Sequence, residues 1–429
     1  MTRRRFTFTI AAFVAALLPV LLVPSGRAAA GAGGGGGGSF QVVFDPPLSR
    51  LHAQGNPDSE RSLTAVTVEA RGPEGRLLAG AVIDVTLTAP RFNPLARSDI
   101  PQVEGRRLLH TRFAAVDGRQ TFKYVWPIRG QYRLDLRAAP APGSGASFVP
   151  FDASQSFRIG ERAGEERKLL LFLVALFALG AASALVLLRS HRLSRLSADA
   201  LGSPPARPGR PGPWRPRLSV PGVVGAGLGL WVVGLLALLV VQQVKDTRSD
   251  HRVATYQGPA QGETKVARSD AVALRYELGR SSSDGIGVQT LLRTSGRVED
   301  ARTGQPIPGA GIRLEAVDLE GGDVVFATDA IALDGRFTWD HDFWDGVDYD
   351  LRVTAVPGSS GLTFPPVSTA AHIAVQPMSP PIGAKFLGLA YLLLALLAGM
   401  ATTLLLSRRL WQGSVRPAVG AGRLDPQAL

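Results

Sequence analysis

Asp340, Asp342, Asp345, Asp348 and Asp350 crowd into one short segment with His341 and Trp344 between them. Carboxylate oxygens gathered in this way are the ligand chemistry of Ca²⁺. The candidate cation ligands are therefore Asp340, Asp342 and Asp345. The spacing does not match the calcium loop of about twelve residues. Asp348 and Asp350 alternate with Tyr349 and Leu351, which is the pattern of a strand with one solvated face. A solvated face and turn is the competing reading of the cluster. The histidines are His52, His110, His191, His251, His341 and His372, and no two stand at His-x-His or helical spacing. A copper or zinc site would have to assemble from distant positions. The chain has no cysteine, which excludes disulfides, thiolate metal sites and thiol nucleophiles. No nucleophile elbow, phosphate loop or dinucleotide fingerprint occurs. Trp126, Trp339 and Trp344 are expected in a core or at its rim, or on an aromatic platform for glycans. The expectation is no enzyme and no cofactor.

The elements that carry these residues come from a sequence written twice. Gly75-Arg-Leu-Leu-Ala-Gly80-Ala81-Val-Ile83 is echoed by Gly304-Gln-Pro306-Ile-Pro-Gly309-Ala310-Gly-Ile312. Asp117-Gly118-Arg119 is echoed by Asp334-Gly335-Arg336, and Gly130-Gln-Tyr132-Arg-Leu134 by the run from Gly346 through Tyr349 to Leu351. Alternating apolar positions, as in Leu63–Ala70 and Ala81–Leu87, predict half-buried antiparallel strands. Turn residues separate them, so each copy is expected to be a β-sandwich, over residues 39–160 and 271–378. Arg91–Leu108 is a Pro-containing insert of the first copy, and residues 245–270 form a linker or fringe strand.

Each copy precedes an apolar run. Residues 169–188, 223–244 and 386–406 are long enough to span a bilayer, which needs about 20 residues. Residues 1–30 have the basic start and short apolar run of a secretory signal, and Thr2-Arg3-Arg4-Arg5-Phe6 also resembles a twin-arginine signal. A Gly-rich spacer, 31–38, follows. Arginines crowd the loop 189–221 and the tail 407–429. Positive charge marks the cytoplasmic side, so both β copies face outward and the C-terminus lies inside. The expected location is a bacterial cytoplasmic membrane, crossed several times. The formal net charge of +12 sits largely beside the apolar runs, so it sets topology and does not point to nucleic acid. No span carries Asp, Glu, Lys or His at its middle, which argues against a transporter. Gly180, Ala181 and Ala184 in the first span, and Gly225-x-x-x-Gly229 in the second, predict close packing of that hairpin or docking to a partner's helices.

The run from Gly296-Arg-Val298 through Thr303-Gly304-Gln-Pro306 and Gly309-Ala310 to Asp334-Gly335-Arg336-Phe337 resembles the carboxypeptidase regulatory-like domain. The resemblance covers residues 291–353, and a diverged copy lies within 63–136, where Leu77 replaces the proline. It implies a small immunoglobulin- or transthyretin-like sandwich that folds, spaces or binds. On this reading Gly75, Gly80, Ala81, Asp117, Gly118, Gly304, Pro306, Gly309, Ala310, Asp334 and Gly335 are turn and strand-start residues. The functional expectation is a membrane-anchored envelope protein that binds a protein or polymer, as an accessory or scaffold subunit. Its partners are the lipid bilayer and a protein in or at the membrane. Two alternatives stay open. One is a metal-handling or oxidase-associated subunit, since copper-containing membrane monooxygenases also carry two outward β domains. The other is a glycan-binding surface protein.

Overall fold

The structure is a computed structural model. It describes residues 38–53, 63–91, 100–115, 117–160, 163–200, 241, 256–257, 264–280, 291–359, 361–375 and 382–414. The signal, the spacer, nearly all of the second apolar run and the C-terminal tail lie outside the described residues. The chain forms two units, one of strands and one of helices.

The first copy supplies β1 (Ser39–Asp45), β2 (Thr64–Arg71), β3 (Ala81–Thr88), β4 (Arg107–Ala114), β5 (Arg119–Tyr124), β6 (Gly130–Pro140) and β7 (Phe151–Ile159). The second supplies β10 (Val272–Arg280), β11 (Leu292–Asp300), β12 (Gly311–Asp318), β13 (Val324–Ile331), β14 (Arg336–His341), β15 (Asp348–Val356) and β16 (Val367–Val375). The stretch between the copies adds two short strands, β8 (Tyr256–Gln257) and β9 (Thr264–Arg268), so it is in part a fringe strand. Pairing between these strands is antiparallel, and His52 makes a parallel bridge to Gly160. One ladder runs β1-β2-β5-β13-β12-β15-β16-β8. The other runs β7-β6-β3-β4-β14-β11-β10-β9. A single bridge, Ile331 to Ala114, joins them.

Each ladder therefore takes strands from both copies. The crossings are β5 with β13 and β4 with β14, and their registers correspond residue for residue. Tyr124 lies opposite Phe326 and Phe122 opposite Thr328, while His341 lies opposite Leu109 and Trp339 opposite Thr111. The two copies are related as the halves of a symmetric dimer, within one chain. Aromatic side chains meet between the ladders: Phe326 and Trp339 at 4.9 Å between centroids, and Phe44 and Phe157 at 4.8 Å. A single buried cluster spans both copies.

The repeated Asp-Gly turns carry the chain from one ladder to the other, from β4 to β5 and from β13 to β14. Asp117 (φ 49°) and Gly118 (φ 77°) are both left-handed, as are Asp334 (φ 47°) and Gly335 (φ 71°). Two consecutive positive φ values define the turn that matches strand twist in a two-residue hairpin. Both turns then seat on the preceding hairpin. Ala70 N–H donates to Gly118 O (2.9 Å), and Val298 N–H to Gly335 O (2.8 Å). A Cβ on Gly118 would lie 2.8 Å from Leu78 N, and one on Gly335 2.8 Å from Ile307 N. Gly75 has φ 76° but open space around it. We expect Gly335→Ala and Gly118→Ala to cost about 1–3 kcal/mol each, and Gly75→Ala about 1 kcal/mol, the conformational part alone. Equilibrium denaturation of the three variants checks this. Equal costs would mean that the packing of the turns is irrelevant.

In the helical unit, α1 (Ala163–Ala200) and α2 (Ile382–Ser414) follow β7 and β16 in the chain. Residues 167–189 of α1 and 385–407 of α2 are long and apolar enough to cross a membrane. The two helices meet backbone to backbone. A Cβ on Gly180 would fall on the Leu396 carbonyl, and one on Gly399 on the Phe177 carbonyl. The small residues of the first span thus pack against the last helix. Gly225 and Gly229, the hairpin partners expected from the sequence, lie outside the described residues.

Candidate functional site

The acidic segment sits where the copies join. β14 begins with regular alternation, Arg336, Thr338 outward and Phe337, Trp339 inward. The alternation then stops: Asp340, His341 and Asp342 are 0, 2 and 0 % exposed. Structure covers the segment on both sides. Asp340 lies opposite Arg293 of β11 on one side and opposite His110 of β4 on the other.

Each aspartate is committed differently. Arg293 donates to Asp340 from Nε and Nη2, both at 2.9 Å, a two-pronged charge-assisted pair. That carboxylate in turn raises the pKa of the guanidinium above its ordinary value. Asp342 Oδ2 lies 3.4 Å from Arg106 Nε, and Asp342 N–H donates to Leu108 O at 2.9 Å. Arg106 and Leu108 come from the first copy, so Asp342 ties one copy to the other. Asp345 Oδ1 accepts Gly346 N–H at 3.1 Å. Asp348 and Asp350 lie on the outer face of β15, each near His372 of β16, at 3.6 and 3.7 Å. Solvated-face alternation describes Asp348 and Asp350. It does not describe Asp340 and Asp342, which are internal. Among the described residues, no three His, Asp or Glu side chains are placed as a metal-ligand set.

His341 stands at the centre of an aromatic cage. Its ring lies 4.6 Å from Phe343, 5.1 Å from Trp339, 5.3 Å from Phe326 and 6.0 Å from Tyr124. Tyr124 is its counterpart in the first copy. Burial lowers the His341 pKa to about 3, so the ring is neutral. Burial raises Asp342 to about 6, against the pull of Arg106. Burial also pushes Tyr124 well above the ordinary phenol value. Tyr124 Oη, His341 Nδ1 and both Asp342 oxygens make no hydrogen bond among the described residues. A neutral imidazole sealed among rings is placed to fill and orient the junction.

These burials give opposite pH responses. His341 contributes stability above its ordinary pKa of 6.5 and loses it as the pH falls toward 3. Asp342 contributes stability below its ordinary 3.8 and loses it as the pH rises through 6. Between pH 4 and 6 the two slopes offset. We expect His341→Phe to gain about 2–3 kcal/mol of stability from pH 6 to pH 4. Asp342→Asn should lose a similar amount over the same interval. Urea titrations at several pH values read both slopes, and parallel curves for all three proteins would contradict the assignment.

Sequence reasoning singled out the acidic segment but missed Arg106, Arg293 and Tyr124. The repeat alignment held one signal: it pairs Tyr124 with His341 and Val125 with Asp342, so the second copy is polar where the first is apolar. The motif glycines fall as turn residues. Gly75, Gly80, Gly304 and Gly309 all have positive φ. Ala81 and Ala310 are fully buried at the strand starts. Pro306 bridges to Glu299 within the same hairpin.

The fold defines the class broadly: a mostly antiparallel β protein with two helices apolar enough to span a membrane. No protein family matches the chain, and no curated protein does. Among solved structures, MtrC from Shewanella baltica OS185 aligns over 80% of this chain and 70% of its own, with 9% identity and a TM-score of 0.18. A chain described as pT26-6p aligns over 85% and 68%, with 9% identity and a TM-score of 0.16. Superposition at that level does not establish a shared fold.

Proposed function

We propose that this chain is a non-enzymatic envelope protein of a bacterial cytoplasmic membrane. It presents two immunoglobulin-like domains of the carboxypeptidase regulatory-like kind on the outer side, as an accessory or scaffold subunit that binds a protein or polymer. One observation carries the reading: both copies share one hydrogen-bonded strand unit, and each is followed by an apolar helix that packs on the other. A shared strand unit and a paired helical anchor in one chain support this reading.

The sandwich assignment rests on strand order and on two tyrosines. Within the first copy, β1-β2-β5 stand apart from β7-β6-β3-β4, and the second copy divides the same way. Tyr132, near the start of β6, donates to Ile128 O (2.5 Å) and accepts Ile128 N–H (3.1 Å). Tyr349, near the start of β15, donates to Asp345 O at 3.5 Å. A tyrosine there, bonded to backbone a few residues upstream, is the tyrosine corner of immunoglobulin-like sandwiches. The arginine-rich loop 189–221 and tail 407–429, which follow the first and last spans, support the orientation.

The test is purification of the intact chain from its native membranes after brief cross-linking, with mass spectrometry of what accompanies it and metal analysis of the product. A stoichiometric membrane protein partner supports the subunit role. Stoichiometric copper, or turnover of a substrate by the chain alone, overturns the non-enzymatic reading.

A further inference from the structure

The duplication supplies an internal control for surface charge. On the outer face of the first ladder, Gln41, Glu69 and Arg119 lie directly opposite one another across β1, β2 and β5. Glu69 there holds Arg119 at 2.8 Å and Arg71 as well. The equivalent row of the other ladder is Arg275, Arg297 and Arg336, across β10, β11 and β14. At the junction both ladders are balanced, since Asp329 is held by Arg313 at 2.8 Å and Arg112 lies opposite Asp84 of β3. Thr121 faces Asp329 in one ladder, and Thr338 faces Arg112 in the other. At matching positions, the first face is balanced, while the second sets three arginines around Glu299, with Glu277 on the same face one row away.

Like charges directly opposite on neighbouring strands destabilise a sheet. Glu299 lies 3.2 Å from Arg275 and 2.7 Å from Arg297. Arg336 is exposed and has no ion-pair partner among the described residues, whereas Arg112 lies opposite Asp84 of β3. The next row places Glu277, Ser295 and Thr338 opposite one another, so one carboxylate borders the arginines. Strands are about 4.8 Å apart, so the three arginines leave the sheet side by side along one row. The guanidinium fork matches phosphate oxygens two at a time. No aromatic side chain belongs to the row, whereas protein-binding hot spots centre on aromatic anchors.

We infer that the row Arg275, Arg297 and Arg336 on the outer face of β10, β11 and β14 binds a linear polymer of closely spaced phosphate groups. The inference rests on the binding-module reading and names the ligand class of that module. The arginine stems also cover the sheet, so the test removes charge on this face and compares it with charge removed elsewhere.

The full-length protein in neutral detergent is titrated with linear inorganic polyphosphate at several salt concentrations. Wild type should bind with a strong salt dependence. Arg297→Gln/Arg336→Gln should weaken binding roughly tenfold or more. Arg133→Gln/Arg137→Gln removes the same charge from β6, where Asp135 and Asp152 lie beside these arginines at 2.8 and 3.7 Å. It should change binding by less than about twofold. Equal losses in both double variants, or none in either, would overturn the arginine row and leave the binding module standing. So would competition by phosphatidylglycerol micelles at lower phosphate concentration than the polymer, which assigns the row to lipid headgroups. A wild-type chain that ignores polyphosphate also overturns it, and cross-linking of the same preparation then judges the module separately.

Discussion

Replacing Arg106 with Ala should destabilise the strand unit by about 3–5 kcal/mol at pH 7, the usual cost of leaving one member of a buried ion pair alone. Arg106 is 8 % exposed, and Asp342 is fully buried. Losing the guanidinium leaves the carboxylate between the two copies with no counter-charge near its oxygens among the described residues. The group's response is to take up a proton, and burial already holds its pKa near 6. The penalty should therefore shrink between pH 7 and pH 5, because the neutral acid needs no counter-charge. Replacing both partners, as Arg106→Met/Asp342→Leu, should recover most of the loss, since an apolar pair of similar volume leaves nothing charged behind. Equilibrium unfolding of the two variants at both pH values decides the matter. A double substitution as damaging as the single one would mean that Arg106 acts through its other contacts and not through Asp342.

The second large effect lies in the helices. Gly180→Leu or Gly399→Leu places a side chain on a backbone carbonyl of the facing helix, which cannot rotate away. Either change should cost roughly 3 kcal/mol of stability in detergent, at the upper end for overpacking. In combination the two should cost little more than one alone, because helices already forced apart have lost the contact that the second change would break. Close approach through glycine is how helices associate where lipid removes the hydrophobic drive. Thermal denaturation of both single variants and the double reads this directly. Full additivity would indicate separate local defects and no shared contact.

The local devices of the fold were legible in the residues. Asp117-Gly118 and Asp334-Gly335 announce their turns, because two successive left-handed positions favour that pair. Ala81 and Ala310 announce crowded strand starts. The joining of the copies was not legible. Alternation in β5 and β14 is the same whether the neighbouring strand belongs to the same copy or the other, so the pattern fixes a strand's faces and not its partner. The burial of Asp340 and Asp342 follows from that joining and was equally hidden. Arg106 sits in the insert of the first copy, which has no counterpart to align. Gly180 was read as a packing residue, but its partner in the structure, Gly399, belongs to the last helix. Gly180 and Gly399 stand at nearly the same sequence offset as Asp117 and Asp334, a correspondence visible only once the repeat is carried into the apolar runs.

The central claim is that both β copies face outward from a cell membrane on a paired helical anchor. The absence of cysteine makes it directly testable, since any introduced thiol is the only one in the chain. Ser156→Cys in β7, Thr363→Cys in the loop before β16 and Ser197→Cys in the basic stretch after the first span are each exposed to a membrane-impermeant maleimide on intact spheroplasts. The account predicts labelling at positions 156 and 363 without permeabilisation, and at 197 only after it. Labelling of 197 from outside, or protection of either β-copy position until the membrane is opened, would contradict it.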